Sequence, residues 1–240
     1  MDLGEAYHAW HSPITGRELR MLVFGHEGRP LLLFPTSKGA YYQYKDQGLI
    51  ETARWFLEQG KVKIYCPESP DDWSWYNKAI SPAERAYNQG LYDRQVLEEI
   101  IPRMQQETGM KRIAVAGCSF GGYHAVNFSF RHPAIAGWCF SMSGVFDIRS
   151  FADGYYDDNV YFNNPLDFIG GAQDPHLWEM GIVLGTAEWD ICRGDNERLS
   201  GLLAAKQIRH WLDIRPGRTH DWPVWKEMFP HYLSLLPGVG

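Results

Sequence analysis

Cysteine is scarce in this chain. Cys66, Cys118, Cys139 and Cys192 are the four in 240 residues, with no C-x-x-C pair and no zinc-like spacing to histidine. That argues against a disulfide framework or a cysteine-built metal centre, and Cys66 and Cys139, each closing an apolar run, read as buried free thiols. An excess of positive charge is also missing: 23 Lys and Arg face 29 Asp and Glu, a formal net charge of −6. A nucleic acid is therefore not an expected partner. No window approaches 18 consecutive apolar residues, which leaves no candidate membrane helix. The opening MDLGEAYHAWHSP lacks the basic and then hydrophobic regions of a secretion signal, so a cytoplasmic location is the expectation. Dinucleotide and P-loop glycine fingerprints are absent, and no cofactor is expected. His8 and His11 form an H-x-x-H, but in an extended segment two such side chains face opposite sides, so no metal site is expected there.

Apolar runs of strand length are present in number. The candidates are LLLF (31–34), VKIYC (62–66), RIAVA (112–116), GWCFSM (137–142), GIVLG (181–185) and HWLDI (210–214). Unbroken apolar runs suit strands covered on both faces, as in a parallel sheet. Upstream, RELRMLVFGHEGRPLLLF (17–34) holds two such runs around a Gly/Pro turn and reads as an antiparallel N-terminal hairpin. Helical stretches fill the gaps. Ser81, Pro82 and Glu84 make a helix start; residues 91–101 keep an apolar face up to Pro102, which should kink or end the helix. Residues 195–208 and 223–236 are further helices, the last broken at Pro230. Strands alternating with helices define an α/β fold: a mostly parallel central sheet with helices on both faces. No repeat or linker divides the chain, so residues 1–240 read as a single domain. The stretch 146–180 interrupts the rhythm and is too long for a plain connection, which suggests a cap over a site.

The segment AGCSFGGYHA (116–125) carries the chemistry. Gly117-Cys118-Ser119-Phe120-Gly121 is a G-x-S-x-G placed between a strand and a helix. So sharp a turn strains its apex residue, and flanking glycines remove Cβ atoms that would clash. Ser119 holds the apex and projects beyond the sheet edge; Cys118, at the x position, points into the fold. A serine needs a base to take its proton. His220 lies in PGRTHDWPVW beyond the last strand, where a base can reach the sheet edge; His124 and His132 fall in the helix after the turn, and His210 begins a strand. The acid should come from TAEWDICRGDN, which offers Glu188, Asp190 and Asp195. Asp195 looks like a helix N-cap, and local reasoning does not choose between the other two.

Together these residues resemble the α/β-hydrolase "putative esterase" group, which includes esterase D-like enzymes, feruloyl esterases and mycolyltransferases. GCSFGGYHA is similar to that group's elbow, EEIIPRMQQETG to the helix ahead of it, and HDWPVW to its G-H-x-x-x-x-W loop, over most of residues 30–235. The resemblance implies a serine carboxylesterase with Ser119 as nucleophile, His220 as base and Asp190 as acid, acting on a small or medium ester through an acyl-enzyme. GTAEWD stands where a turn two residues shorter is usual, which keeps Glu188 as an alternative acid; Asp147, after the strand GWCFSM, is a third. An H-G motif usual after the strand LLLF is replaced by PTSKGAYYQY. One oxyanion donor is then the backbone N–H of Phe120, the other that of Thr36 or Ser37.

Two aromatic-polar loops are candidate pocket walls: 68–82 with Trp73, Trp75, Tyr76 and Asn77, and the stretch with Tyr155 and Tyr156. The expected partner is a small-molecule ester. An acyltransferase using the same acyl-enzyme, or a non-catalytic binding protein on this scaffold, are the alternatives.

Overall fold

All six apolar runs form strands of one eight-stranded sheet. The protein was analysed as a computed structural model that describes residues 3–239; Met1, Asp2 and Gly240 lie outside the described residues. The strands are β1 (Ala6–His11), β2 (Glu18–Phe24), β3 (Arg29–Phe34), β4 (Val62–Pro67), β5 (Ile113–Cys118), β6 (Ala136–Met142), β7 (Gly181–Trp189) and β8 (Trp211–Thr219). Their order across the sheet is β1-β2-β4-β3-β5-β6-β7-β8. β2 runs antiparallel to both β1 and β4, and every other pairing is parallel.

The strand alternation sorts side chains into two cores. Leu31, Leu33, Ala114 and Ala116 join one cluster, while Leu32, Phe34 and Val115 join the other, on the opposite face. Each core is closed by helices. The first is covered by α5 (Trp222–Leu233), through Val224, Trp225, Met228, Phe229 and Tyr232, and by short helical turns between residues 43 and 58. The second is covered by α1 (Pro82–Gln95), α2 (Ile101–Thr108), α3 (Phe120–Arg131) and α4 (Arg193–Ala205). Full burial of each Leu or Phe contributes about 1.5–3 kcal/mol, and such side chains dominate both faces of the sheet.

Three expectations are corrected. β2 and β3 do not form a hairpin: β4 is inserted between them, and the antiparallel pair at the N-terminus is β1 with β2. β4 is buried along nearly its whole length, so an interior place with neighbours on both edges satisfies its backbone groups. Pro102 does not end its helix. A single π turn, Val96–Ile100, separates α1 from α2, and the proline sits in the first turn of α2 where its missing N–H costs little. Pro230 lies inside α5 without breaking it, because Met228, Phe229, Tyr232 and Leu233 are all buried around it. The Ser81–Glu84 capping box is present as expected. Among the described residues no helix is long and apolar enough to cross a membrane.

One ion cluster ties α2 to the sheet. Glu107 accepts from Lys63 Nζ (2.8 Å), Arg103 Nε (2.7 Å) and Tyr65 Oη (2.9 Å). Burial alone would raise its pKa, but these three partners bring it from 4.5 down to about 2. A depressed carboxyl adds stability that is present above its unfolded value and disappears as pH falls through the folded one. Glu107→Gln is therefore expected to cost on the order of 1–3 kcal/mol at neutral pH and much less near about pH 2. Urea titrations at the two pH values check this; equal losses at both would show that the charge is not what stabilises.

Candidate active site

The elbow is built by a strand that cannot continue. β5 is buried throughout and ends at Cys118; Ser119 then takes φ 56° and ψ −122° before α3 begins at Phe120. That conformation costs about 1–3 kcal/mol for a residue with a side chain and must be held by its surroundings. Close backbone contact holds it. A Cβ on Gly117 would lie 2.1 Å from the Gly121 carbonyl oxygen, and one on Gly121 would lie 2.2 Å from that of Phe34. The Ser119 N–H donates to the Met142 carbonyl (2.8 Å). Tyr44 Oη accepts from the Cys118 N–H (2.9 Å) and donates to the Phe34 carbonyl (2.6 Å), so one phenol pins elbow to neighbouring strand. The Cys118 side chain is fully buried, and burial pushes its thiol far above the ordinary value.

The histidine and the aspartate arrive on adjacent strands. β7 runs on to Trp189 and β8 to Thr219, and these two terminal residues pair across the parallel ladder. The next residue on each strand is Asp190 and His220. The register shifts just before them, where β8 spends four steps against two on β7 between Ala187↔Arg215 and Trp189↔Thr219. His220 Nδ1 donates to Asp190 Oδ1 (2.7 Å), which fixes Nε2 as acceptor of the Ser119 hydroxyl (2.9 Å). The Asp190 side chain is fully buried and also accepts the Cys192 N–H (2.8 Å). Burial would raise its pKa, but hydrogen bonding, from His220 first and also from the Cys192 amide, outweighs this and holds it below the ordinary carboxylate range. Trp225, the second tryptophan of HDWPVW, stands edge-on to the imidazole with centroids 5.1 Å apart and donates its indole N–H to Ser143 Oγ (2.9 Å).

The rival acids are engaged elsewhere. Glu188 accepts the Gly217 N–H (2.7 Å) at the register shift in β8. Asp147 pairs with Arg149 and Arg198. Asp195 is not the N-cap of α4, a position taken by Cys192; it lies in the first turn and accepts the backbone N–H groups of Phe146 (2.8 Å) and Asp147 (3.0 Å).

The Phe120 N–H opens α3, and among the described residues neither it nor the Ser37 N–H has an acceptor in the protein. The Thr36 N–H, by contrast, donates to Gln43 Oε1 (3.0 Å) while Gln43 Nε2 donates to Thr36 Oγ1 (2.7 Å). The two free amides lie on segments joined by Tyr76, which donates to Ser37 Oγ (2.8 Å) and packs on Phe120 at 5.1 Å between centroids.

The remaining aromatics divide. Tyr76 flanks the site, together with Phe151, which packs on both Phe120 (5.2 Å) and Tyr76 (5.0 Å) and carried no signal in the sequence. Trp75 is wholly buried, its indole N–H donating to Tyr123 Oη (3.0 Å), so it is a core residue and not a pocket wall. Trp73 lies under the Arg17 guanidinium beside Leu19 and Glu68. Tyr155 and Tyr156 are exposed and donate to Asp157 and Asp167. Of the 146–180 stretch, Phe151 reaches the elbow, while Tyr161, Phe168 and Leu177 line a cavity with Phe130, Arg131 and His132 at the opposite end of α3. Among the described residues one donor set could accept a metal: Asp190, Cys192 and His220 place ligand atoms within 4.8 Å of one another. It fits poorly, since binding would break the Asp190–His220 hydrogen bond and burial pushes the Cys192 thiol up to about 12.

A strand–elbow–helix serine, backed by a histidine and an acid from the next strand ends of a mostly parallel sheet, defines an α/β-hydrolase. The chain belongs to the family described as putative esterase, whose model matches residues 33–235. It is accordingly an enzyme of ester-bond hydrolysis. No curated protein sequence matches the chain. Among solved structures it is similar to a ferulic acid esterase at TM-score 0.79 and 15% identity, over 98% of each chain. It is also similar to an S-formylglutathione hydrolase from Agrobacterium tumefaciens, at 0.75 and 14%, over 98% of this chain and 95% of that one. A ferulic acid esterase from Anaeromyces mucronatus gives 0.67 and 13%, over 96% and 89%. Identities this low speak for the fold.

Proposed function

We propose that the protein is a serine carboxylesterase that cleaves a small or medium ester through an acyl-enzyme. The observation that carries this reading is the unbroken row Ser119 Oγ–His220 Nε2, His220 Nδ1–Asp190 Oδ1 beside two unoccupied amides. Ser119 Oγ attacks the ester carbonyl as His220 Nε2 takes its proton. The N–H groups of Phe120 and Ser37 receive the oxyanion, and Asp190 stabilises the imidazolium. Collapse breaks the bond to the leaving alcohol, which leaves with the proton from His220. Water then attacks the acyl-serine by the same proton path in reverse, releasing the acid. Tyr76 and Phe151 stand as the nearest wall for the substrate, with the segment around Phe151 serving as cap. The two kinds of structural neighbour, ferulic acid esterase and S-formylglutathione hydrolase, keep aryl esters and short thioesters within the candidate range.

An organofluorophosphonate should label Ser119, and a screen of short-chain, aryl and acetylated-sugar esters should find turnover; absence of both would overturn the reading. The pH profile adds a check. Only neutral imidazole accepts the serine proton, while Asp190, held below the ordinary carboxylate range, stays ionised throughout. On the acid side kcat/KM is therefore expected to fall with unit slope, one proton alone being responsible. A rate that is flat between about pH 5 and 8 would rule out a histidine base.

A further inference from the structure

Asp71 is a carboxylate with no solvent exposure, and it lies outside the reacting row. Isolating such a charge from water is costly unless it is well bonded. The nearby cation does not neutralise it: Lys38 Nζ pairs with the exposed Asp72. Its partners are a backbone amide and a buried imidazole. Asp71 Oδ2 accepts the Lys38 N–H (2.7 Å), and Oδ1 lies 3.2 Å from Nε2 of His124, a histidine only 2% exposed. Gln89 Nε2 faces His124 Nδ1 at 3.4 Å, which leaves Nε2 as the nitrogen that donates to Asp71.

Each partner of Asp71 belongs to one half of the oxyanion site. Lys38 follows Ser37, and its φ of 53° is a left-handed conformation that a side chain enters only when held. With the Lys38 N–H drawn inward to Asp71, the preceding N–H, that of Ser37, is the one left free. The segment after Asp71 grips the same loop again: the Tyr76 N–H donates to the Asp71 carbonyl (3.0 Å) and Tyr76 Oη donates to Ser37 Oγ (2.8 Å). His124 lies one turn beyond Phe120 on α3, and its ring meets the Phe120 ring edge-on at 5.2 Å. We propose that Asp71 and His124 form a second, buried Asp–His pair that positions the oxyanion hole, locking the Ser37 loop to the nucleophile helix. They are positioning residues: neither touches the substrate, and their effect falls on the geometry of two amides.

The proposal rests on the esterase reading, and its test separates the two. Wild-type protein must first be labelled by a fluorophosphonate and hydrolyse an aryl ester; failure there sinks the esterase reading itself. Asp71→Asn, which keeps shape and loses charge, is then expected to lower kcat about 10–100-fold with KM within about threefold. A trifluoromethyl ketone, which forms a tetrahedral oxyanion on the serine, should lose affinity by the same factor as kcat/KM, and the acid limb of the pH profile should not move. If Asp71→Asn does not fold, His124 supplies the answer. His124→Phe fits an aromatic slot formed by Phe34, Tyr92, Phe120 and Tyr123 but donates nothing, and it should show the same pattern. His124→Gln, whose amide can donate from nearly the same place, should recover most of the rate. Variants that lose thermal stability yet keep wild-type kcat and ketone affinity would overturn the proposal, as would His124→Phe and His124→Gln behaving alike.

Discussion

Ser119→Ala is expected to lower kcat by on the order of 10⁴–10⁶ and to leave the protein folded. The hydroxyl is the one atom removed. Backbone strain at this position is held by the Met142 carbonyl and by the close approach of residues 117, 121 and 34, none of which involves the serine side chain. Alanine tolerates the conformation no worse than serine, so near-UV circular dichroism should be unchanged. The neighbouring Cys118→Ala is the control. Its thiol lies in the core with Ala114, Ala116 and Phe140, so trimming it should cost stability of about 1–2 kcal/mol and little activity. Turnover of an aryl ester by both variants decides the nucleophile; an active Ser119→Ala beside a dead Cys118→Ala would reverse the assignment.

The second large effect concerns the acid. Asp190→Asn is expected to lower kcat by on the order of 10²–10⁴ with little change in KM. Asp190 Oδ1 already serves two donors, His220 Nδ1 and the Cys192 N–H. An amide can present its oxygen to one arrangement only, and it removes the negative charge that stabilises imidazolium. If the amide nitrogen faces His220 instead, the imidazole takes the wrong tautomer and Nε2 no longer accepts from serine. Glu188→Gln and Asp147→Asn should stay within about tenfold of wild type, since their carboxylates bond Gly217 and two arginines. Steady-state kinetics on the three amides, with circular dichroism to exclude unfolding, settles the acid. A near-normal Asp190→Asn would transfer the role to whichever of the others had failed.

The parts of this molecule that were legible in its sequence share one property: their local pattern and their tertiary role coincide. Strands buried on both faces read as mostly apolar runs because a polar side chain there must find a partner inside the protein. The elbow reads as glycines around a serine because backbone contacts near 2 Å from a would-be Cβ exclude other residues. β1 escaped notice because its burial merely alternates along AYHAWH, with polar residues among the aromatics. The β2–β3 hairpin was mistaken because a Gly-containing turn permits both folding back and crossing over, and only the competition for β4 decides. Asp71 was the least legible of all. It stands beside Asp72 in SPDDW, and one of these identical side chains is sealed in the interior while the other pairs with a lysine at the surface. No periodicity distinguishes them, because the difference is made by loop 36–39 and α3, segments distant in the chain. The Thr36 N–H, the alternative to that of Ser37, is engaged by a side chain seven residues on, Gln43.

The pairing of Trp189 with Thr219 has an evolutionary corollary. Asp190 and His220 are 30 positions apart along the polymer, yet their spacing is set by the last rung of a ladder and by nothing in between. The helix 193–205 and the connection that follows can therefore drift in length and composition, as long as β8 returns to its place. The four-residue detour through Pro216 and Gly217 has no such freedom. A single deletion there would rotate His220 to the other side of its strand, so insertions and losses among descendants of this sequence should accumulate between the two strands and avoid the last turn before the histidine.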